Sequence, residues 1–158
     1  IRVKLETDLH NLVSLIVRKR DRCCVTCGRV EQLNASHLIK RGRGAVKFDF
    51  VNVNCQCWPC NRRHNYYPEF YTDWFLQRYG EAAYHDLKAR ADHPFKRTLA
   101  ELEQMKVQLA RFLDLILLAD LGFLPHVKAR LCSKIGHSLV DGQCVWCGFP
   151  NHYDKRSK

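Results

Sequence analysis

The chain has 158 residues, which is enough for one or two small domains with cores of their own. It is strongly basic, with 26 lysines and arginines against 16 acids, and residues 1–64 carry 13 of the basic and only 5 of the acidic side chains. This concentration of positive charge predicts a polyanionic partner, most often a nucleic acid, with a basic surface that only aids solubility as the alternative. No apolar window reaches the length of a membrane span and no signal peptide pattern is present, so we expect an intracellular protein and no membrane partner.

The predicted elements begin with a helix that ends at a basic run, 18–22, which is either a second basic edge or simply the end of the helix. Two short strands are predicted at 36–39 and 48–55, joined by a basic loop that contains glycines. A helix with aromatic side chains follows Cys60. The order of strand, strand and helix predicts a hairpin against which this helix packs.

Three helical segments are predicted further along the chain. The first ends in a glycine cap at Gly80, a short helix covers 81–89, and a long amphipathic helix covers 98–122. Thr98 and Glu101 have the spacing of a capping box at the start of the long helix. We expect this helix to cover the core, with a homodimer face as the alternative. Its predicted apolar side consists of Leu102, Met105, Leu109, Phe112, Leu113, Ile116 and Leu117.

Nine cysteines, an odd number in a chain expected to be intracellular, favour metal binding over disulfide bonds. The early part of the chain contains two C-x-x-C pairs: Cys24 with Cys27, and Cys57 with Cys60. Each pair suits a tight turn that points two thiolates at one tetrahedral ion, so together they predict a structural zinc site, with buried cysteines or a redox pair as alternatives. Cys23 and Cys55 are interpreted as small, partly buried hydrophobic residues, although a swap of register with their neighbours stays open.

The last cysteine cluster predicts a second zinc site. Its pattern, C-x4-H-x6-C-x2-C, supplies a complete ligand set within a short segment that also contains an Asp-Gly turn. The alternative is a loose tail with incidental cysteines. The four predicted ligands are Cys132, His137, Cys144 and Cys147.

Several motifs that occur in order resemble one family. The segments "LVSLIVRKRDRCCVTCGR", "ASHLIKRG", "KFDFVNVNCQCWPCN" and "YTDWFLQRYGEAAYHDLKA" are similar to the phage NinG (Rap) recombination nucleases. The resemblance covers roughly residues 9–118 and leaves the last cysteine cluster outside. It implies a zinc-stapled HNH, or ββα-metal, endonuclease that acts on DNA in the cytoplasm of a host cell. It also implies branched recombination intermediates, such as Holliday junctions and displacement loops, as substrates.

The resemblance assigns catalytic roles to three residues. His37 corresponds to the general base of the family, and an imidazole titrates in the range that suits removal of a proton from water. Asn52 corresponds to the asparagine that braces the loop orienting the histidine, with an ordinary polar strand residue as the alternative. Asn61 directly follows Cys60, so its amide oxygen is a candidate ligand for a catalytic Mg²⁺ or Mn²⁺ that is separate from the zinc.

One position departs from the HNH pattern. Many HNH enzymes carry an acidic metal ligand immediately before the catalytic histidine, whereas Ser36 stands there in this chain. The missing ligand must come from another side chain or from water. Asp49, His64 and Asn65 are the candidates.

Basic side chains on the loop and at the start of the helix after Cys60 are candidate phosphate contacts. Each can neutralise one backbone phosphate, which predicts salt-sensitive binding with little reading of sequence, and one or two of them can simply be solvated. They are Lys40, Arg41, Arg43, Lys47, Arg62 and Arg63.

The predicted fold is mainly α with a small β-hairpin. Residues 1–67 are expected to hold an N-terminal helix and the zinc-stapled ββα core, 68–130 a helical extension, and 131–158 a C-terminal zinc knuckle. The predicted function is metal-dependent hydrolysis of phosphodiester bonds, and the predicted partner is DNA that is branched or partly single-stranded. A non-catalytic zinc protein that binds DNA, and an adaptor that binds other proteins, are the alternatives.

Overall fold

The computed structural model describes residues 1–40 and 42–120 and two short strands further along, 139–140 and 143–144. The first two of these ranges contain four helices and one pair of five-residue strands. In chain order they are α1 (Arg2–Asp21), β1 (Leu33–His37), β2 (Val53–Cys57), α2 (Trp58–His64), α3 (Glu69–Asp92) and α4 (Leu99–Asp120), followed by β3 (Leu139–Val140) and β4 (Gln143–Cys144). The prediction of a mainly helical fold with a small antiparallel hairpin is confirmed.

The hairpin pairs β1 with β2 in antiparallel register, from Leu33 opposite Cys57 to His37 opposite Val53. Both predicted strands overlap the observed ones but have the wrong bounds: β1 begins at Leu33, earlier than predicted, and the first part of the second predicted strand forms turns. Asp49 explains the difference: its Oδ1 accepts a hydrogen bond from Val51 N at 2.7 Å, and its carbonyl accepts one from Val53 N at 2.9 Å. These bonds favour a turn over an extended strand.

Helix α1 packs along α4 and over the hairpin. This packing forms the first of two hydrophobic cores. The apolar side chains of α1 recur every three or four residues and so share one face. The core that they enter also contains residues from the turn, from β2 and from α4. Its buried members are Leu5, Leu9, Val13, Val17, Phe48, Val53 and Leu102.

Helix α3 is broken at Gly80 and builds the second core. Gly80 has φ 81° and ψ 168°, a conformation open to glycine, and the chain resumes a helix beyond it. The predicted end of one helix at Gly80 and the start of a second are therefore confirmed. The buried residues of this core come from both halves of α3 and from the segment between the strands: Leu38, Val46, Tyr71, Phe75, Leu87 and Ala91.

Helix α4 begins at the predicted capping box. Glu101 N donates to Thr98 Oγ1 at 3.2 Å, and Thr98 N donates to Glu101 Oε2 at 2.6 Å. Leu102 and Ile116 are buried as expected, but Leu117 is 40% exposed. One residue turns a helix by about 100°, so Leu117 leaves the face that Ile116 buries. No helix in the described part of the chain is long and apolar enough to cross a bilayer.

Candidate metal centre and adjoining site

The four cysteines of the two C-x-x-C pairs meet at one point. The sulfur atoms of Cys24, Cys27, Cys57 and Cys60 all lie within 4.8 Å of one another, and those of Cys27 and Cys57 are 3.7 Å apart. A tetrahedral zinc ion with sulfur ligands at about 2.3 Å holds its ligands roughly 3.8 Å apart. Four sulfurs without oxygen or nitrogen ligands suit zinc, so the predicted set fits the ion in both chemistry and spacing.

The backbone holds the first pair in a tight turn. Gly28 has φ 76° and donates its N–H to Cys24 O at 2.8 Å, which returns the chain beside the two sulfurs. Val25 N donates to Cys55 O at 2.8 Å, which joins this turn to β2. The second pair needs no such turn, because Cys57 ends β2 and Cys60 lies in the first turn of α2.

The thiols of the centre differ in their readiness to lose a proton. Burial raises the pKa of Cys24, but its hydrogen bond with Thr26 and the backbone N–H groups of Cys57, Thr26 and Cys27 outweigh burial, so its pKa falls to about 6. Burial raises the pKa of Cys60 to about 12. Coordination to a cation deprotonates a thiol outright, so the raised pKa of Cys60 is no obstacle to zinc.

The two neighbouring cysteines stay outside the cluster, which settles the register in favour of the predicted set. Cys55 is fully buried and Cys23 is half-buried. Burial raises the pKa of Cys55 to about 12, and the nearby Asp21 carboxylate adds to this. Asp21 Oδ2 accepts the hydrogen bond of Cys55 N at 2.7 Å, so the residue fixes β2 through its backbone and fills space with its thiol.

Beside the metal centre, the end of β1 contacts α2. Ser36, which is 1% exposed, donates its hydroxyl to Asn61 Oδ1 at 3.0 Å. Tyr71, from α3, donates its hydroxyl to Ser36 O at 3.3 Å and packs edge-on against the ring of His64. Ser36, which stands where many HNH enzymes carry an acidic metal ligand, therefore donates a hydrogen bond to the amide oxygen that was predicted to bind a catalytic ion.

Asn52 ties the segment that follows β1 to β2. Its Oδ1 accepts from Ile39 N at 2.8 Å, and its Nδ2 donates to Ile39 O at 3.1 Å and to Val46 O at 3.0 Å. The side chain is fully buried and all three bonds go to backbone groups. The loop after His37 is therefore held at both ends by one amide.

His37 ends β1 and faces α1. Its Nε2 lies 2.9 Å from Lys47 O, and its ring stacks on that of His10 with 5.8 Å between centroids. A carbonyl oxygen only accepts hydrogen bonds, so Nε2 carries the hydrogen in the neutral ring and the lone pair lies on Nδ1. This is the tautomer that can take a proton at Nδ1.

The three candidates for a further ligand lie in different settings. Asp49 is in the turn before β2, not on the strand as predicted, and its second oxygen forms an ion pair with Arg90. His64 is half-buried near the backbone of Leu38 and His37, and burial lowers its pKa. Asn65 follows α2 and is exposed. His64 therefore lies beside the end of β1, and its lowered pKa favours the neutral ring.

The predicted phosphate contacts divide into three groups. Lys47 is largely covered and its Nζ pairs with Glu6 at 2.6 Å, which also lowers the pKa of Glu6. Arg41 lies outside the described residues. The other four are exposed: Lys40, Arg43, Arg62 and Arg63. Of these, only Arg43 has an acidic neighbour in the described part of the chain, Asp92 at 3.9 Å.

Two structural residues of the site were missed by sequence reasoning. Arg20 is buried at the end of α1 against β2, and Tyr71 reaches the hairpin from α3. Arg20 lies inside the run 18–22, where the surrounding basic residues hid it. Its spacing of three residues from Val17 and four from Ile16, both on the apolar face of α1, is the signal that could have found it.

The second predicted zinc site lies outside the described residues, together with the side chain of Cys144. The backbone of the short strands pairs Leu139 with Cys144 and Val140 with Gln143. These are the residues on either side of the predicted Asp-Gly turn.

Comparison with known families identifies the family of this chain. A family model described as Bacteriophage Lambda NinG protein matches residues 2–115, well over half of the chain. The chain belongs to the NinG family. No curated protein and no solved structure matches it.

Membership in the NinG family confirms the family predicted from the motifs. It makes the chain a phage recombination-related protein. The match spans both C-x-x-C pairs, so the four cysteines that can hold a zinc ion lie within the region typical of NinG proteins.

Proposed function

We propose that this NinG-family chain is a metal-dependent DNA endonuclease of the HNH, or ββα-metal, type, and that it acts on branched recombination intermediates such as Holliday junctions and displacement loops. The observation that carries the proposal is the contact of Ser36 Oγ with Asn61 Oδ1 at 3.0 Å. This hydrogen bond joins Ser36, the residue before the candidate base His37, to the candidate metal ligand Asn61. Both lie in the unit formed by β1, β2 and α2, which the four cysteines hold together. The preference for branched DNA rests on the family alone.

The chemistry needs a base, a cation and a positive surface. His37 acts as the base through Nδ1, because its Nε2 hydrogen is held by Lys47 O. Asn52 fixes the loop that carries Lys47 by binding Ile39 and Val46. Arg62 and Arg63 hold the DNA backbone near Asn61, where their charges stay unneutralised by any described acid.

The donors available for a catalytic ion are neutral. Asn61 Oδ1 and Ser36 Oγ are oxygen ligands of the kind that Mg²⁺ and Mn²⁺ accept. His64 is a further candidate, since its ring packs on Tyr71, which bonds to Ser36 O. A bound divalent ion would stabilise charge on the phosphate and on the leaving oxygen. Because no described carboxylate joins this group, we expect weak binding of the ion, with water and DNA phosphate as its other ligands.

A second candidate function is a zinc protein that binds DNA without cutting it. One observation favours it: Ser36 stands where many HNH enzymes carry an acidic metal ligand, and His37, the next residue of β1, faces α1 and not the α2 side chain Asn61. In this case the basic surface would remain, while the ion and the reaction would be absent.

Cleavage assays separate the two functions. The zinc-loaded chain is incubated with linear, flapped and four-way DNA of equal length, with Mg²⁺, with Mn²⁺ and with neither. The endonuclease proposal predicts cleavage only with a divalent ion, and faster cleavage of branched DNA. Binding without cleavage under every condition would support the non-catalytic protein instead.

A further inference from the structure

Three large aromatic side chains stand in solvent on and just after α2. Trp58 is 52% exposed, Tyr66 is 70% exposed and Tyr67 is 62% exposed. Tyr71 and Phe75 on α3, by contrast, are fully buried. A concentration of exposed aromatic rings on one short segment marks a binding surface more often than a packing defect.

Two arginines lie against these rings. The guanidinium carbon of Arg62 is 5.2 Å from the centre of the Trp58 ring, and that of Arg63 is 5.9 Å from the Tyr67 ring. Both pairs are four residues apart, so each arginine lies one turn from its ring. Within the described residues neither guanidinium has an acidic partner within 4 Å, so both keep their full charge for a ligand.

The segment is fixed rather than loosely attached. Helix α2 begins directly after Cys57 and contains Cys60, so the zinc centre holds its first turn. Beyond the helix, Tyr66 N and Tyr67 N both donate to Arg63 O, at 3.0 and 2.9 Å. Rings presented on a fixed backbone lose little entropy when a planar ligand stacks on them.

Aromatic faces and unneutralised arginines together suit one ligand. A DNA duplex offers phosphates but hides the faces of its bases, whereas an unpaired strand offers both. We propose that Trp58, Arg62, Arg63, Tyr66 and Tyr67, named here the α2 aromatic surface, bind unpaired DNA bases by stacking while the arginines hold the flanking phosphates. This inference rests on the proposed function, because it takes DNA as the substrate, and it deepens it by naming the feature recognised. Trp58 lies three residues from Asn61, so the unpaired strand would reach the proposed cleavage centre.

Binding measured without a divalent ion tests the inference apart from cleavage. Fluorescence anisotropy is recorded for a labelled 12-nucleotide oligo-dT and for a blunt duplex of the same length, with the zinc-loaded chain and no added Mg²⁺ or Mn²⁺. Trp58→Ala and Tyr67→Ala are each expected to weaken oligo-dT binding about tenfold and to change duplex binding less than about twofold. Trp58→Phe, which keeps a ring face, is expected to retain most of the affinity.

A matched control removes another exposed aromatic that has its own arginine. Phe95 is 49% exposed with Arg97 4.8 Å from its ring, and it lies between α3 and α4, so Phe95→Ala should leave both affinities unchanged. Zinc content and circular dichroism confirm that each variant is folded. Equal losses for oligo-dT and duplex would overturn the inference and assign the surface to contact with the DNA backbone. No loss in either aromatic variant would also overturn it and assign the surface to a protein partner. A wild-type chain that binds neither probe but binds a four-way junction would overturn the inference alone, and one that binds none of the three would overturn the proposed function as well.

Discussion

Arg20 shows how much one residue contributes to holding the site. Its guanidinium is 2% exposed and bonds to Asp21 at 2.6 and 2.8 Å, to Phe50 O at 2.8 Å and to Asn54 Oδ1 at 2.8 Å. Burial lowers the pKa of Arg20, but the charge of Asp21 outweighs it and raises the pKa above its usual value. The paired charges therefore persist inside the protein, and they bind the turn and β2 to the end of α1.

Replacing Arg20 leaves Asp21 buried without its counter-ion. We expect Arg20→Met to lower the free energy of unfolding by about 3–5 kcal/mol, the usual cost of breaking a buried ion pair from one side. Arg18→Met is the matched control. Because Arg18 is exposed on the same helix, this substitution should change the free energy of unfolding by less than about 0.5 kcal/mol. Urea unfolding of the zinc-loaded variants measures both. Similar losses in the two variants would mean that the buried pair has no special role.

Individual residues could be predicted from the sequence where the residue type itself indicates the chemistry, as cysteine pairs indicate metal binding. The spacing of Cys24, Cys27, Cys57 and Cys60 predicts their meeting, because few arrangements other than a metal site need such pairs. The basic run 18–22 could not be interpreted in the same way. Arg20 is buried while Lys19 and Arg22 are exposed and pair with Asp120, and a charge run alone does not tell which face of a helix will be covered.

Among the secondary-structure elements, the sequence predicted the ends of the helices better than the ends of the strands. The capping box at Thr98 and the break at Gly80 depend on neighbouring residues only, and both are confirmed. The strands depend on bonds between segments. The residues before β2 have the pattern of a continuous strand but form a turn, because the side chain of Asp49 accepts a hydrogen bond from Val51 N. The alternation of polar and apolar residues does not reveal this bond.

The break in α3 gives a prediction about its backbone. Gly80 has φ 81° and ψ 168°, where any Cβ is strained, although nothing lies within 4 Å of the position a Cβ would take. We therefore expect Gly80→Ala to cost about 1–3 kcal/mol of unfolding free energy from backbone strain alone. Gly42→Ala should be nearly neutral, since Gly42 also has open space but lacks a positive φ. A neutral Gly80→Ala would show that α3 can straighten without loss.

At the scale of the whole molecule, the metal centre ties together parts of the chain that are distant in sequence. One cysteine pair follows α1 and the other joins β2 to α2, while α1 packs on α4. Zinc binding by four thiolates is worth roughly 10–16 kcal/mol in small zinc domains, against a total stability of about 5–15 kcal/mol for most proteins. The ion should therefore decide whether the hairpin and its site form at all.

Removing one ligand tests this dependence. We expect Cys60→Ser to lose the zinc of this centre and the cooperative unfolding transition, while Cys23→Ser keeps both because Cys23 lies outside the cluster. Elemental analysis gives the zinc content, with two ions per wild-type chain expected when the C-terminal ligand set is included. A folded Cys60→Ser variant with unchanged zinc content would contradict the four-cysteine centre.

The proposed endonuclease is tested by the cleavage of a four-way junction, with the wild-type chain and with His37→Ala, under single-turnover conditions with Mg²⁺ or Mn²⁺. Loss of a general base usually costs about 10²–10⁴-fold in rate, so we expect His37→Ala to cut at least a hundredfold more slowly. Its zinc content and its affinity for DNA should stay within about twofold of the wild type. His85→Ala, a substitution of an exposed histidine on α3, should cut at the wild-type rate. Cleavage by His37→Ala at the wild-type rate would show that His37 is not the general base and would place the active site elsewhere.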